Sequence, residues 1–444
     1  MAALPAVAGE RGLDIRQAID QGAMSRFQVL AVALCVTLNM LDGFDVLVMA
    51  FTASEVAKEW SLSGARLGGL LSAGLVGMAG GSLFLAPWAD RFGRRAITLL
   101  CLGVITLGML GSVLAQGPAQ LAVLRVFTGI GIGGILASLN VITSEYASRR
   151  WRSTAISLQV TGYPIGATVG GAVGAFLITS YGWRSAFLFG ALASGIMIPV
   201  VIRSLPESLD FLLARRPPDA LRRLNDLLRR MGRPEVSELP GRRAEEHEEH
   251  ADRNPVRRLL SDRIARSTFL IWTAFFLVMF GFYFITSWTP KLLVAAGLST
   301  REGITGGVAL NLGGIVGGSL FGYLARYLPL RRLAELYLGL TAACMLLFGF
   351  FASNLAAAFP IALAIGVFLF GSMVGLYAVT PILYPAAIRT TGMGWAIGIG
   401  RIGAILAPVT AGLLVDSGWA TAHLYYAFAA PFVGALLVVR ALRI

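Results

Sequence analysis

Two aspartates, Asp42 and Asp45, interrupt an apolar run that extends from residue 27 to residue 51. Their spacing of three residues places both carboxyl groups on the same side of a helix. Burial in an apolar medium disfavours the charged form of a carboxyl group, so such a group can exchange a proton near neutral pH. Because neighbouring acids titrate together, we assign the exchange to the pair. The alternative is a structural role, in which the aspartates cap a kink at Gly43 or bond to another helix.

Two arginines lie in other apolar runs, Arg125 in residues 120–145 and Arg401 in residues 391–415. If the first run crosses outward and the fourth inward, Arg125 lies at a depth similar to Asp45, and the two can pair. Arginine keeps its proton, so protonation of an aspartate would release Arg125 or admit an anion beside it. Arg401 has no acid nearby in sequence, and an unpaired guanidinium is a suitable carboxylate ligand. The alternative in each case is a permanent ion pair or internal counter-ion.

A polar loop between the second and third apolar runs combines charge with a turn-forming glycine. Its residues of interest are Asp90, Arg91, Gly93, Arg94 and Arg95. The aspartate can accept hydrogen bonds from helix N-termini or from arginines of a neighbouring helix, and the glycine permits a tight turn. Glu145 and Arg149 stand four residues apart at the end of the fourth run, so we expect them to pair. The alternative is that these arginines only set the topology.

Membrane-spanning helices must position these residues, and the composition predicts them along most of the chain. Of the 444 residues, 56% are hydrophobic and 14% are charged. Each apolar run is long enough to cross about 30 Å of hydrocarbon as a helix. We therefore predict an all-α polytopic membrane protein with twelve spans, at residues 27–51, 67–87, 96–115, 120–145, 155–180, 184–203, 268–288, 304–326, 333–353, 357–380, 391–415 and 422–441.

The net charge of +13 is distributed unevenly between the predicted loops. Arginines cluster in alternate loops, as in residues 91–95, 149–152 and 326–332, while the intervening loops hold few. The positive-inside rule therefore places both termini in the cytoplasm and accounts for most of the charge without a nucleic-acid partner.

The predicted spans form two halves that resemble each other. Residues 80–84 and 317–321 share one sequence, and each is followed by an arginine pair, while Gly182-Trp183 matches Gly418-Trp419. Such a parallel repeat is typical of transporters whose substrate site lies between two six-helix bundles. We predict a cytoplasmic segment at 1–26, bundles at 27–203 and 267–444, and a cytoplasmic linker at 204–266.

The predicted linker contains an amphipathic segment at residues 221–230, which either lies on the inner leaflet or packs on the ends of the bundle. His247 and His250 follow in a charged stretch without further ligands, so we do not predict a metal site.

Cys35, Cys101 and Cys344 lie far apart in apolar spans and are expected to be buried packing residues. No Walker-type loop is present, and we expect no bound cofactor.

The loop at residues 86–95 resembles the signature of the major facilitator superfamily, with Ala86 where that pattern usually has glycine. The resemblance implies a transporter fold in which this loop is a cytoplasmic gate, and Glu145 and Arg149 are candidates for a gating pair. In the second half Ala325-Arg326-Tyr327 lacks the aspartate, so we do not expect a matching gate there.

A narrower resemblance, to the aromatic acid/proton symporter family, spans nearly the whole chain. Its most specific element is the pair of aspartates in Asp42-Gly43-Phe44-Asp45. The other elements are Arg125, Glu145-Tyr146, Pro206-Glu207-Ser208, Thr391-Gly392-Met393-Gly394-Trp395 and Gly400-Arg401-Ile402-Gly403. The resemblance implies a carrier in a bacterial inner membrane, not an enzyme, that imports a benzoate or hydroxybenzoate together with protons by alternating access. The alternative is a related carrier for another organic acid, a sugar or a drug.

An aromatic acid would need cationic, aromatic and polar contacts, and the sequence offers each. Arg125 and Arg401 are candidates for its carboxylate. At the repeat offset Met279 and Phe282 replace the two aspartates, so we hypothesise that the first span handles protons and the seventh offers ring faces. The ring candidates are Phe282, Tyr283 and Tyr377, and the candidates for hydrogen bonds to ring hydroxyls are Gln159, Tyr163 and Asn311. The alternatives are rings that face lipid and ordinary interhelical hydrogen bonds. The expected partners are the aromatic acid, protons and the lipid bilayer, and we expect a monomer.

Overall fold

The computed structural model describes residues 24–239, 259–261, 264–351 and 354–442. Within these ranges the ordered elements are helices, without a β-strand. Twelve of these helices are long and apolar enough to cross a membrane. The predicted all-α fold with twelve spans is therefore confirmed. Most of the predicted segment 1–26 and both linker histidines, His247 and His250, lie outside the described residues.

The helices before the linker correspond to the first six predicted spans. They are α1 Arg26–Glu59, α2 Gly64–Phe92, α3 Arg94–Val113, α4 Pro118–Tyr146, α5 Arg152–Tyr181 and α6 Arg184–Ser204. The helices after the linker are α7 Ala265–Ala295, α8 Thr300–Leu324, α9 Leu330–Phe351, α10 Leu355–Val379, α11 Ala386–Asp416 and α12 Thr421–Arg440, with a short 3-10 helix at Thr380–Leu383. We call these two groups the N-terminal and C-terminal halves.

Local sequence signals determine where several helices begin and end. Ser25 and Gln28 form a capping box at the start of α1, and Ser299 and Glu302 form one at the start of α8. Such boxes satisfy backbone amides that have no partner inside the helix. The repeated glycine in Gly182-Trp183 and Gly418-Trp419 has φ of 82° and 81°. The sequence repeat therefore corresponds to the same positive-φ turn in each half.

Small residues allow the helices of each half to pack closely. Added Cβ atoms at Gly77 and Gly81 of α2 would meet the backbone of α4, and those at Gly313 and Gly317 of α8 would meet the backbone of α10. Close backbone approach of this kind replaces the hydrophobic driving force that is missing between helices in lipid. The abundance of glycine thus has a packing role in both halves.

The two halves meet mainly through α2 with α11, α5 with α8, and α1 with α7. Ser72 Oγ donates a hydrogen bond to the carbonyl of Ile405 at 2.7 Å, and Thr300 Oγ1 donates one to Glu55 at 2.6 Å. These contacts lie toward the end of the bundle where α2 and α8 begin, which we call the closed end. Toward the start of α11, Gly394 and Gly398 are exposed, and Cβ atoms added there would meet no atom within 4 Å. We call this opposite end, which carries the linker, the open end.

Two short linker helices, Leu209–Arg215 and Ala220–Arg230, follow α6. Leu224 and Leu228 of the second helix are buried against the N-terminal half, in one apolar cluster with Leu139 and Val201. Of the two interpretations of this amphipathic segment, the structure supports packing on the ends of the bundle. The apolar face of the segment is not available to a leaflet because the protein itself covers it.

Candidate functional site

The two aspartates of α1 lie inside the bundle. Asp42 and Asp45 are 5% and 3% exposed, and the Oδ1 atom of each has no hydrogen-bond partner within the described residues. Helix α1 contacts α5, α4 and α7, so it borders both halves. A buried carboxylate without such partners is costly unless a cation lies near it. The surroundings of these two groups therefore decide what they can do.

Arg125 of α4 lies next to Asp45 and is 3% exposed. Its Nη1 atom is 3.5 Å from the backbone oxygen of Asp45, and its Nη2 atom donates to Thr128 Oγ1 at 2.8 Å. The guanidinium also lies over the ring of Phe187, 5.0 Å from its centroid. Arg125 and Asp45 interact electrostatically and line one cavity together with residues of α2. The structure thus brings the two together, although the guanidinium bonds to the backbone of Asp45 and not to its carboxylate.

Arg401 of α11 faces the N-terminal half from the other side. Its Nη1 atom donates to the hydroxyl of Tyr283 at 3.3 Å. It is close enough to Asp42 for a Coulomb interaction, and Tyr163 of α5 and Tyr377 of α10 lie in the same neighbourhood. The sequence analysis did not predict that Arg401 lies near Asp42, because the two residues are far apart along the chain. A Coulomb interaction therefore crosses between the halves at the centre of the bundle.

The predicted ring residues surround this guanidinium unequally. Phe282 is 7% exposed and packs edge-on against Tyr283 and Phe370, with centroids 5.4 and 5.0 Å away. Tyr377 packs against Phe275 at 5.5 Å and interacts electrostatically with Arg401 and Tyr283. The alternative that these rings face lipid does not hold for Phe282, which is buried, whereas Tyr377 is 39% exposed.

The predicted amide residues are buried but poorly paired. Both side-chain polar atoms of Gln159 lack a hydrogen-bond partner within the described residues, as does Oδ1 of Asn311. Asn311 Nδ2 donates at 2.9 Å to Gly307 of its own helix. Neither side chain makes the interhelical hydrogen bond that was the alternative to substrate contact. Asn39, which the sequence analysis did not select, donates from Nδ2 to the backbone oxygen of Gln159 at 2.6 Å and has an unpaired Oδ1.

A separate polar network lies at the open end, where α2, α3, α4 and the start of the linker meet. Arg94 forms ion pairs with Glu145 and with Asp90, the latter at 3.3 Å. Glu207 Oε1 accepts hydrogen bonds from the backbone amides of Arg94 and Arg95, at 2.8 and 3.1 Å. These are the first amides of α3, so the carboxylate of Glu207 caps this helix.

The turn between α2 and α3 fits this network. Gly93 has φ of 101°, and a Cβ atom there would collide with the Glu207 carboxylate. Only glycine combines this conformation with such a close approach. Arg91 is exposed and lies over the Phe92 ring at 5.3 Å, while Arg95 donates to the carbonyl of Ile202. The loop residues are therefore tied mainly to the N-terminal half.

The predicted pair between Glu145 and Arg149 is wrong. Glu145 accepts hydrogen bonds from Arg94, from Ser208 Oγ at 2.9 Å and from the amide of Leu209 at 2.8 Å. The prediction assumed a continuous helix, but α4 ends at Tyr146 and Ala147 is extended, with φ of −79° and ψ of 131°. Arg149 therefore leaves the helix face on which Glu145 lies, and it is exposed.

Among the described residues, no three or more His, Cys, Asp or Glu side chains are grouped so that they could hold a metal ion. The arrangement at the centre of the bundle instead combines two acids, two guanidinium groups and several rings. Such a set can exchange protons on one wall and bind an anion with a flat apolar body on the other.

The chain is similar in sequence to several characterised carriers. The family model described as Major Facilitator Superfamily matches residues 32–408. A gallate transporter of Pseudomonas putida is 32% identical over 430 residues, which cover 97% of this chain and 95% of that protein. A 4-hydroxybenzoate transporter of the same organism is 31% identical, covering 92% of this chain and 91% of that one. A benzoate transport protein of Acinetobacter baylyi is 28% identical and covers 91% of this chain and 87% of its own length.

Solved structures share the fold at lower sequence identity. A D-xylose-proton symporter superposes with a TM-score of 0.71 at 16% identity, covering 93% of this chain and 97% of that one. An inward open conformation of the xylose transporter XylE from E. coli gives a TM-score of 0.70 at 15% identity, covering 92% and 95%. At these identities the likeness concerns the fold alone.

Proposed function

The chain belongs to the major facilitator superfamily and is a transporter, and we propose that it imports a small aromatic carboxylate together with protons by alternating access. The relatives named above as gallate, 4-hydroxybenzoate and benzoate carriers support this substrate class. The substrates in these names share one chemical feature, a carboxylate attached to a flat aromatic ring.

The observation that carries the proposal is the placement of two buried acids near two guanidinium groups inside the bundle. Asp45 lies beside Arg125 within the N-terminal half, and Asp42 interacts with Arg401 of the other half. Because arginine keeps its proton, only the acids can change charge in this group. A proton on Asp42 would free Arg401 to bind a substrate carboxylate in its place.

The surroundings of Arg401 suit an aromatic acid. Tyr283 and Tyr377 stand beside the guanidinium, and the ring of Phe282 lies next to Tyr283. A carboxylate bound to Arg401 would direct the attached ring toward these aromatic faces. Gln159 carries unpaired polar atoms on the opposite half and is the proposed partner for a ring hydroxyl.

Proton coupling gives the proposed uptake its direction. An anion that enters a cell with a negative interior works against about 2.3 kcal/mol per charge per 100 mV. A proton carried in the same cycle removes this cost and adds the energy of the pH gradient. With the termini in the cytoplasm, as the positive-inside rule predicts, the open end of the bundle faces inward. The described conformation would then be the one that releases substrate.

Uptake by purified protein in liposomes tests the proposal. We expect labelled 4-hydroxybenzoate to accumulate when the outside is made acidic and to leave when a protonophore is added. No accumulation, or accumulation that ignores the pH gradient, would overturn it. Asp45→Asn should abolish accumulation but retain exchange of labelled for unlabelled substrate. Asp226→Asn on the second linker helix is the matched control and should behave as wild type, because Asp226 pairs only with Arg229 among the ion pairs seen there.

The substrate class needs its own measurement. We expect benzoate, hydroxybenzoates and gallate to raise the thermal unfolding temperature of the purified protein, and aliphatic acids and sugars to leave it unchanged. Stabilisation by a sugar or an aliphatic acid of equal size would favour the alternative carriers instead.

A further inference from the structure

Asp416, the last residue of α11, lies against the first turn of α2 in the other half. Its Oδ1 atom accepts a hydrogen bond from the amide of Gly64 at 2.5 Å, and its Oδ2 atom accepts one from the amide of Ala65 at 2.8 Å. Backbone amides at a helix start have no partner inside the helix, and the helix dipole there favours negative charge. A carboxylate of the C-terminal half therefore caps a helix of the N-terminal half.

Glu55 makes the reciprocal contact from the N-terminal half. It accepts a hydrogen bond at 2.6 Å from the hydroxyl of Thr300, the first residue of α8, and it interacts electrostatically with Lys291 of α7. Helices α2 and α8 hold the same position in the sequence repeat. Each half thus directs one carboxylate at the first turn of the other half's second helix.

The backbones at the Asp416 contact are too close to allow a side chain between them. A Cβ atom added at Gly64 would collide with the carbonyl of Gly412, and one added at Gly412 would collide with the carbonyl of Gly64. A hydrogen bond weakens steeply once donor and acceptor separate beyond about 3.2 Å, so a small outward tilt of either helix breaks it. The contact can exist only while this end of the bundle is shut.

We propose that Asp416 and Glu55 form a gate that holds the closed end shut. The inference rests on the proposed function in one respect, namely that the halves alternate between conformations. When the closed end opens, both carboxylates leave the helix starts and return to water. The two contacts therefore stabilise the described conformation without touching the central site. The strength of these contacts determines how often the closed end opens.

A distance measurement tests the gate without any substrate. Spin labels at Ala119→Cys and Ala420→Cys, in protein whose Cys35, Cys101 and Cys344 are replaced by alanine, would report the separation of the halves at the closed end. We expect Asp416→Ala to raise the ratio of open to closed molecules about fivefold, the usual effect of losing one helix cap, and Glu55→Ala to raise it by a similar factor because the hydrogen bond to Thr300 is lost. The double substitution should raise it about 25-fold if the two contacts act independently.

Glu302→Ala is the matched control. Glu302 is an acid at the same end that caps its own helix through Ser299, so its loss should leave the distance distribution unchanged. If the Asp416 variants do not fold, Gly412→Ala provides a second route to the same opening, because the added methyl group would separate α11 from α2. Wild-type distances in the double variant, or equal opening in Glu302→Ala, would overturn the gate.

The outcomes separate the two proposals. If the closed end opens in the Asp416 variant but the wild-type protein does not carry aromatic acids, the proposed substrate class is refuted and the gate is supported. Normal proton-driven uptake combined with unchanged distances would refute the gate and keep the function.

Discussion

The hydroxyl of Tyr283 on α7 accepts a hydrogen bond from Nη1 of Arg401 on α11, at 3.3 Å. The two helices are neighbours within the C-terminal half, so this bond orients the guanidinium before any ligand arrives. Under the proposed function, a substrate carboxylate would meet a group whose position is already restricted, which would lower the entropy lost on binding.

Tyr283→Phe should therefore weaken substrate binding. The variant keeps the ring and removes the hydroxyl, and the loss of one hydrogen bond to a charged group predicts a rise in KM of about tenfold. The maximal rate should change little, because the acids proposed to exchange protons are untouched. Initial uptake rates over a range of substrate concentrations measure both quantities. Tyr181→Phe, at an exposed tyrosine, is the control, and an unchanged KM in Tyr283→Phe would contradict the assigned orientation.

Thr128→Val should destabilise the protein through Arg125. Thr128 Oγ1 accepts a hydrogen bond from the buried guanidinium at 2.8 Å, and valine has nearly the same shape without the acceptor. A buried charged donor left without its partner costs about 1–3 kcal/mol. Thermal unfolding in detergent should show a lower transition temperature for Thr128→Val, whereas Thr128→Ser, which keeps the hydroxyl, should remain near wild type. Equal temperatures for the two variants would refute this role of Thr128.

Glu207→Ala should loosen the start of α3. The carboxylate accepts hydrogen bonds from the amides of Arg94 and Arg95, and loss of a helix cap typically costs about 0.5–2 kcal/mol. We expect a lower unfolding temperature and faster proteolysis near residues 92–95. Glu238→Ala, at an exposed linker glutamate, should change neither quantity. A stable, protease-resistant Glu207→Ala protein would show that the network does not depend on this residue.

Gly43→Ala should disturb the contact between α1 and α5. The added methyl group would collide with the backbone carbonyl of Tyr163, so the helices must separate or the residue must strain, at a cost of about 1–3 kcal/mol. Because Gly43 lies between the two aspartates, the shift would also move both acids, and transport should fall together with stability. Gly103→Ala on α3, where an added methyl group meets no atom within 4 Å, should be neutral or slightly stabilising.

Much of the fold could be predicted from the sequence because hydrophobic length is a strong signal for membrane spans. Every predicted span corresponds to a helix, and the paired turns at Gly182 and Gly418 have matching conformations. The proximity of Asp45 and Arg125 was also predictable, since both lie in the outer part of spans with opposite directions. Contacts that depend on where a helix stops were harder to predict, and Ala147 ends α4 too early for the expected pair of Glu145 with Arg149.

Contacts between the halves could not be predicted in the same way. The sequence repeat relates equivalent positions, but it does not specify which residues face each other across the interface. The interactions of Arg401 with Asp42, and of Asp416 with the start of α2, join residues more than 300 positions apart. No local pattern marks either contact, and a three-dimensional arrangement was needed to recognise them.

The distribution of the acid–base pairs between the halves has a mechanical consequence. Asp45 and Arg125 belong to the same half, so a rigid rotation of one half against the other leaves their separation unchanged. Asp42 and Arg401 belong to different halves, and the energy of their attraction varies inversely with the distance between them. In the proposed cycle, the second pair would oppose separation of the two residues while Asp42 is charged and would stop opposing it once Asp42 is protonated, whereas the first would contribute the same energy at every angle. Protonation of a single carboxyl group would in this way change the torque between two rigid bodies.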